Sequence, residues 1–250
     1  MAGTELAKAY VQIIPSAKGI SGGIQREIDP EADVAGKSFG GKLVGVIKGV
    51  IATAAIGKAL SSAISEGAAL EQSLGGIETL FKDSADKVKA NAAQAYKTAG
   101  MSANNYMELT TSFSASLLSS LSNDTSKAAD IADMAMVDMS DNANKMGTNM
   151  EDIKNAYQGF AKQNYTMLDN LKLGYGGTKT EMERLLADAQ KISGVEYNID
   201  NLSDVYSAIH VIQGELDITG TTAKEAATTL SGSLGQMKAA FKNLLGNMAL

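Results

Sequence analysis

Few residues in this chain could do chemistry, and they are scattered. The only histidine, His210, sits between Ile209 and Val211, and there is no cysteine. One imidazole without thiolate partners does not make a zinc site, and its apolar neighbours mark it as a structural histidine satisfied within the fold. Four aspartates, Asp130, Asp133, Asp138 and Asp141, fall close together. They lie largely off the apolar face of a predicted helix, so a solvated acidic surface is expected. The run Gly174-Tyr175-Gly176-Gly177-Thr178-Lys179 precedes a helix start and has the makings of an anion cradle. The same spacing serves a tight interhelical turn closed by a threonine cap, which is the preferred reading. Residues 49–58 end in Gly-Lys but lack the spacing and following hydroxyl of a phosphate loop. Residues 142–147 lack the terminal glutamate of a calcium loop. No catalytic, cofactor-binding or metal-ligating set emerges, so the expectation is a structural part without a cofactor rather than an enzyme.

Composition points the same way. The chain has 250 residues, 44% hydrophobic and 20% charged, ordinary for a folded protein of one large domain or two small ones. Aromatics are only 5% while glycine numbers 25, and small residues each supply little buried area. Thin helix-on-helix contacts are therefore expected in place of a thick core. The net charge is -6 and no basic block stands out, which argues against sequence-specific nucleic-acid binding. The lack of cysteine excludes a disulfide framework and suits a reducing cytoplasm. The N-terminus lacks the apolar core of a signal peptide. Residues 40–64 are the most membrane-like, but Lys42, Lys48 and Lys58 interrupt them. Their longest uncharged run, 49–57, falls far short of the about 20 residues a spanning helix needs.

Periodicity predicts an all-α, elongated multi-helix chain with short helical hairpins, at most one short N-terminal strand and an open-ended C-terminal helix. Residues 7–14 alternate toward Pro15 and read as the strand; 16–28 read as a short helix and 31–41 as a linker. Four parts follow: 1–40, a small-residue-rich helical segment over 41–99, a helical domain over 100–220, and a heptad helix beginning in 221–250. Gly75-Gly76 is expected to break or kink the second part. Ser102, Asp124, Asn149 and Thr178 stand at helix starts, and Thr178 with Glu181, like Thr222 with Glu225, has capping-box spacing. The predicted core includes Tyr106, Leu109, Phe113 and Leu117, then Ile153, Ala156, Tyr157 and Phe160. It continues through Leu168, Leu171 and Leu173 to Met182, Leu185, Leu186, Ala189 and Ile192. Met134, Met136, Met139, Met146 and Met150 read as gap-filling core.

Two patterns could serve association. Gly41, Gly45, Gly49 and Gly57, with Thr53, Ser61 and Ser65, place a small residue at every fourth position, a ridge that lets another backbone approach. The foremost reading of that ridge is a buried helix of the same chain; an oligomer or membrane contact is the alternative. At the C-terminus, Ala223, Ala227, Leu230, Leu234, Met237, Phe241, Leu244 and Met248 recur at alternating intervals of four and three, a heptad seam.

With these residues in view, the chain resembles the N-terminal part of phage tail tape-measure proteins of long-tailed phages and prophages of Gram-positive bacteria. The resemblance runs through AKAYVQIIPSAKGISGGI, the Gly/Ala/Ile helix, the Gly100-Met101-Ser102 break and the ending TGTTAKEAATTLSGSLGQMKAAFKNLLG. It is most specific over residues 155–186, NAYQGFAKQNYTMLDNLKLGYGGTKTEMERLL. It implies a virion-tail protein assembled in the host cytoplasm that fills the tail-tube lumen in several copies, sets tube length and leaves ahead of the DNA. The partners implied are other copies of the chain, tail tube protein, tail assembly chaperones and tail-tip proteins. The alternative is a membrane-active module, carried by residues 41–64, that helps DNA cross the host envelope. The chain is shorter than such proteins usually are, so the expectation is the head of a longer one.

Overall fold

The computed structural model describes residues 56–228 and 230–247. The predicted strand over 7–14, the helix over 16–28, the linker over 31–41 and ridge residues Gly41, Gly45 and Gly49 lie outside them.

The described chain is all-α, with no strand among the described residues. Helix α1 (Ile56–Phe81) ends in a 3-10 turn (Lys82–Ser84) and is followed by α2 (Ala85–Thr98), α3 (Ala103–Ser120) and α4 (Thr125–Met146). Helix α5 (Met150–Phe160) and a 3-10 turn (Leu168–Leu171) lead to α6 (Lys179–Ser193) and α7 (Leu202–Glu215). The C-terminal pair is α8 (Thr221–Thr228) and α9 (Leu230–Asn247), which pack on each other.

Local sequence sets most boundaries. Ser102, Asp124, Asn149, Thr178 and Asn201 each accept a bond from an amide two or three residues on, satisfying donors that a helix start leaves unpaired. Gly147 and Gly194 close α4 and α6 in the left-handed conformation, at φ 62° and 72°. The capping-box spacing at Thr178 works only in one direction. Thr178 Oγ1 accepts from Glu181 N, but Glu181 Oε2 accepts from Gly176 N rather than from Thr178.

The Gly75-Gly76 break is not there: α1 runs through both glycines to Phe81. Gly76 lies against α3, where an added Cβ would sit 3.2 Å from Thr111 Cγ2, and Ser73 Oγ donates to Asn104 Oδ1 at 2.6 Å. The pair costs about 1 kcal/mol per glycine in helix propensity. Burying Ile77 and Phe81 at the end of the same helix offsets it. The chain turns later, at Lys82, whose φ is 47°.

A thick core forms, contrary to the expectation of thin contacts. The few aromatics are concentrated in it: Phe81, Tyr106, Phe113, Tyr157, Phe160, Tyr165 and Tyr206 are all buried. Phe113 meets Tyr206 edge-on, centroids 5.6 Å apart, and Tyr206 meets Tyr157 at 5.0 Å. Tyr157 then meets Phe160 at 5.8 Å, and Phe160 stacks on Tyr165 at 6.1 Å. This chain of rings joins α3, α7, α5 and the following loop, and such pairs add about 0.5–1.5 kcal/mol each beyond area burial. Alanines on α4 (Ala128, Ala129, Ala132 and Ala135) let the surrounding helices approach it closely. Met136 and Met139 are buried as expected, with Met134, Met146 and Met150 packed at the edge of the core. Ile192 is not core but 48% exposed, because α6 has turned it outward in its last turn.

The connection from α5 to α6 is packed down by Leu168, Leu171 and Leu173. It holds one backbone contact that tolerates no side chain: a methyl on Gly177 would overlap the carbonyl oxygen of Thr166. Gly177→Ala is expected to cost about 1–3 kcal/mol, as overpacking does. Gly214→Ala, with open space around it on α7, should be neutral or stabilising by up to about 1 kcal/mol. Urea midpoints of the two variants check this; equal midpoints would remove the steric argument.

Candidate functional site

The most concentrated polar chemistry lies on α4, where Asp138, Ser140, Asp141 and Asn142 are all buried. Each reaches a different element. Asp138 holds His210 of α7, with its carboxylate oxygens 2.8 and 3.0 Å from Nδ1. Ser140 Oγ donates to the Ala99 carbonyl at the end of α2 (2.7 Å) and lies 3.2 Å from Thr222 Oγ1. Asp141 accepts from Gly220 N and Thr222 N at the start of α8. Asn142 Nδ2 donates to the Leu171 carbonyl at 2.9 Å. Three of the four, Ser140, Asp141 and Asn142, thus satisfy helix ends and a loop that would otherwise bury unpaired backbone groups, while Asp138 holds a side chain.

This corrects two expectations. Asp138 and Asp141 are not solvated; Asp130 is exposed and Asp133 only partly so. Asp130 pairs with Lys87 at 2.7 Å, and half-buried Asp133 accepts from Tyr106 Oη at 2.7 Å. Thr222 does not cap its own helix. That role falls to Asp141, a carboxylate 81 residues away.

His210 is a structural histidine, as its setting predicted, and its partner is Asp138. Burial pushes the Asp138 carboxyl up, against the His210 bond that favours ionisation. The bond to Asp138 pushes His210 up in turn, partly opposed by burial. The pair therefore holds its proton more firmly than either group would in water. The buried Tyr157 hydroxyl, bonded by Gln213 Nε2, is raised well beyond the ordinary range by burial and then by Asp138. No nucleophile stands with this pair, and among the described residues no group of three or more acidic, histidine or cysteine side chains could hold a metal.

The glycine-rich loop before α6 is a turn. Glu181 occupies the Gly176 amide, Arg184 Nη2 donates to the Gly174 carbonyl at 2.8 Å, and the Arg184 guanidinium lies 4.3 Å from the Tyr175 ring centroid. The protein's own carboxylate sits where an anion would bind. Burial, helped by Asp188, pushes Tyr175 up to about 12. A shallow groove between α6 and α7 carries Glu183, Glu196 and Asp204 on its rim; Asp204 already accepts from Asn198 N.

The C-terminal helix does not run free. Gln236 Nε2 donates to the Lys97 carbonyl at 3.2 Å, and Asn243 Oδ1 accepts from Ala103 N at 2.7 Å. Ala239 is buried, Gly246 lies against Leu70, and Lys242 pairs with Glu66 at 3.5 Å. Residues 236, 239, 243 and 246 therefore make the inward face of α9. Seam residue Phe241 lies about 200° round the helix from Ala239 at 3.6 residues per turn and is 40% exposed. Leu244 is half-buried; the side chains of Leu230, Leu234, Met237 and Met248 lie outside the described ones. Gly57 falls in the first turn of α1.

Fold and polar face together define an all-α protein whose buried charges hold helices in place. Comparison with protein-family models, curated proteins and solved structures found no match for this chain. Among the described residues no helix is long and apolar enough to cross a membrane.

Proposed function

We propose that this chain is a structural, non-enzymatic part of a phage tail: the N-terminal region of a tape-measure protein. In this role it associates with other copies and with tail tube, chaperone and tail-tip proteins, is assembled in the host cytoplasm and ends in the virion tail. The observation that carries the reading is the resemblance over residues 155–186. An all-α body accords with it, and so does a C-terminal helix that packs on its own chain with one face and presents Phe241 on the other. Helix is the natural material for a ruler, since it rises 1.5 Å per residue.

Tail length tests the reading directly. An in-frame deletion in the helical part of the reading frame that encodes this chain should shorten the tail by about 1.5 Å per residue removed. Tails of unchanged length in electron micrographs would refute the ruler. Association is tested on the isolated chain by light scattering: Phe241→Asp should lower the oligomeric state, and a strict monomer before substitution would remove the seam as a self-association surface.

A further inference from the structure

We propose that the pair of buried Asp138 and half-exposed His210 is a proton-operated latch that sets how firmly the C-terminal helices α8 and α9 are docked on the body. The geometry behind it is a short relay. Asp138 and Asp141 stand one helical turn apart on α4 and so share a face. Both are fully buried. His210 of α7 bonds the first of them, and the second is bonded by the opening amides of α8. A single imidazolium therefore bonds one buried carboxylate and is held further by the charge of the second, one helical turn along α4. The Tyr157 hydroxyl of α5 faces the same two acids. Among the other elements packed here, α3 brings only exposed Glu108, and α8 brings Lys224 and Glu225. Helix α6 pairs Arg184 with Glu181 and Lys191 with Asp188 at its own surface.

When His210 loses its proton, two buried carboxylates remain one turn apart without the imidazolium charge, a costly arrangement in a poorly solvated site. Asp138 has no exit, since core surrounds it. Asp141 has one: water can reach it if α8 moves off. The described attachments of α8 to α4 are all polar. They include the Gly220 and Thr222 amides on the Asp141 carboxylate, Thr221 Oγ1 on the Asp141 carbonyl and the Ser140–Thr222 contact.

The direction follows from linkage. Both groups of the pair bind protons more firmly in the folded chain than in the unfolded one. The buried Asp141 charge adds to the hold on the His210 proton and is screened once α8 leaves and water reaches it, so protonated His210 favours the docked state; docking is firm below the ordinary histidine value of about 6.5 and weakens as pH rises through the higher folded value. The latch closes in mild acid and loosens in mild alkali.

Hydrogen exchange of the full chain, corrected for intrinsic exchange and followed from about pH 6 to about pH 9, tests this. Protection of α8 and α9 should fall by about fivefold or more over that window while α3, α4 and α7 hold theirs. His210→Gln cannot titrate and should abolish the pH dependence. Asp141→Asn should show weak protection of α8 at every pH. Loss of protection spread evenly over the body would overturn the latch, as would an unchanged pH profile in His210→Gln or Asp141→Asn. A His210 that titrates at its ordinary value by NMR would overturn it too.

Discussion

Tyr157→Ala should lower the stability of the body by about 3–5 kcal/mol, the range for removing a large buried aromatic side chain. Tyr157 is fully buried on α5 and stands between the rings of Phe160 and Tyr206. Its carbonyl accepts from Tyr206 Oη at 2.9 Å, and its hydroxyl accepts from Gln213 Nε2 at 3.3 Å. Truncation thus opens a cavity where α3, α5 and α7 converge. Against a total stability of about 5–15 kcal/mol for a domain, that loss brings the protein close to unfolding at moderate temperature. Tyr157→Phe separates the ring from the hydroxyl. It keeps the packing and strips Gln213 of its acceptor, for about 1–3 kcal/mol. Urea denaturation of both variants gives the comparison. If Tyr157→Ala cost no more than Tyr157→Phe, the ring chain would not be the centre of the fold.

Asp141→Ala should cost about 1–3 kcal/mol, the penalty for orphaning a buried donor, and its effect should be local. The variant leaves the Gly220 and Thr222 amides without an acceptor. It also removes a negative charge from the start of α8, where the helix dipole favours one. The prediction is proteolytic cleavage concentrated in residues 219–247, with a body that keeps its helical signal. Unaltered cleavage there would mean that α9's own contacts at Lys97, Ala103 and Glu66 suffice to hold the pair.

Much of the candidate site was invisible along the chain for a definite reason. Asp138 and Asp141 read as surface acids because their neighbours in sequence place them off the apolar stripe of α4. What buries them is α7 and α8, elements 60 to 80 residues later, packed on the side of α4 that isolated periodicity assigns to water. The seam at the C-terminus shows the converse. Its spacing was legible, but the described residues that α9 docks on the body, Gln236, Ala239, Asn243 and Gly246, are small or polar and fall outside that seam. The Gly75-Gly76 pair was misread for a similar reason: glycine weakens a helix locally, while the close approach to Thr111 that compensates is a tertiary fact.

By itself the sequence determined the all-α class, the helix starts at Ser102, Asp124, Asn149 and Thr178, the stops at Gly147 and Gly194, and the apolar stripes of α3, α5 and α6. Those features depend on interactions within a few residues, capping bonds and a 3.6-residue period, and so are written locally. Only the tertiary structure decided that the sparse aromatics gather into one chain of rings, that His210 finds Asp138, and that α8 is capped by a carboxylate from α4. Partners separated by 49 to 81 residues are brought together by packing, and no local pattern encodes which buried donor will meet which buried acceptor.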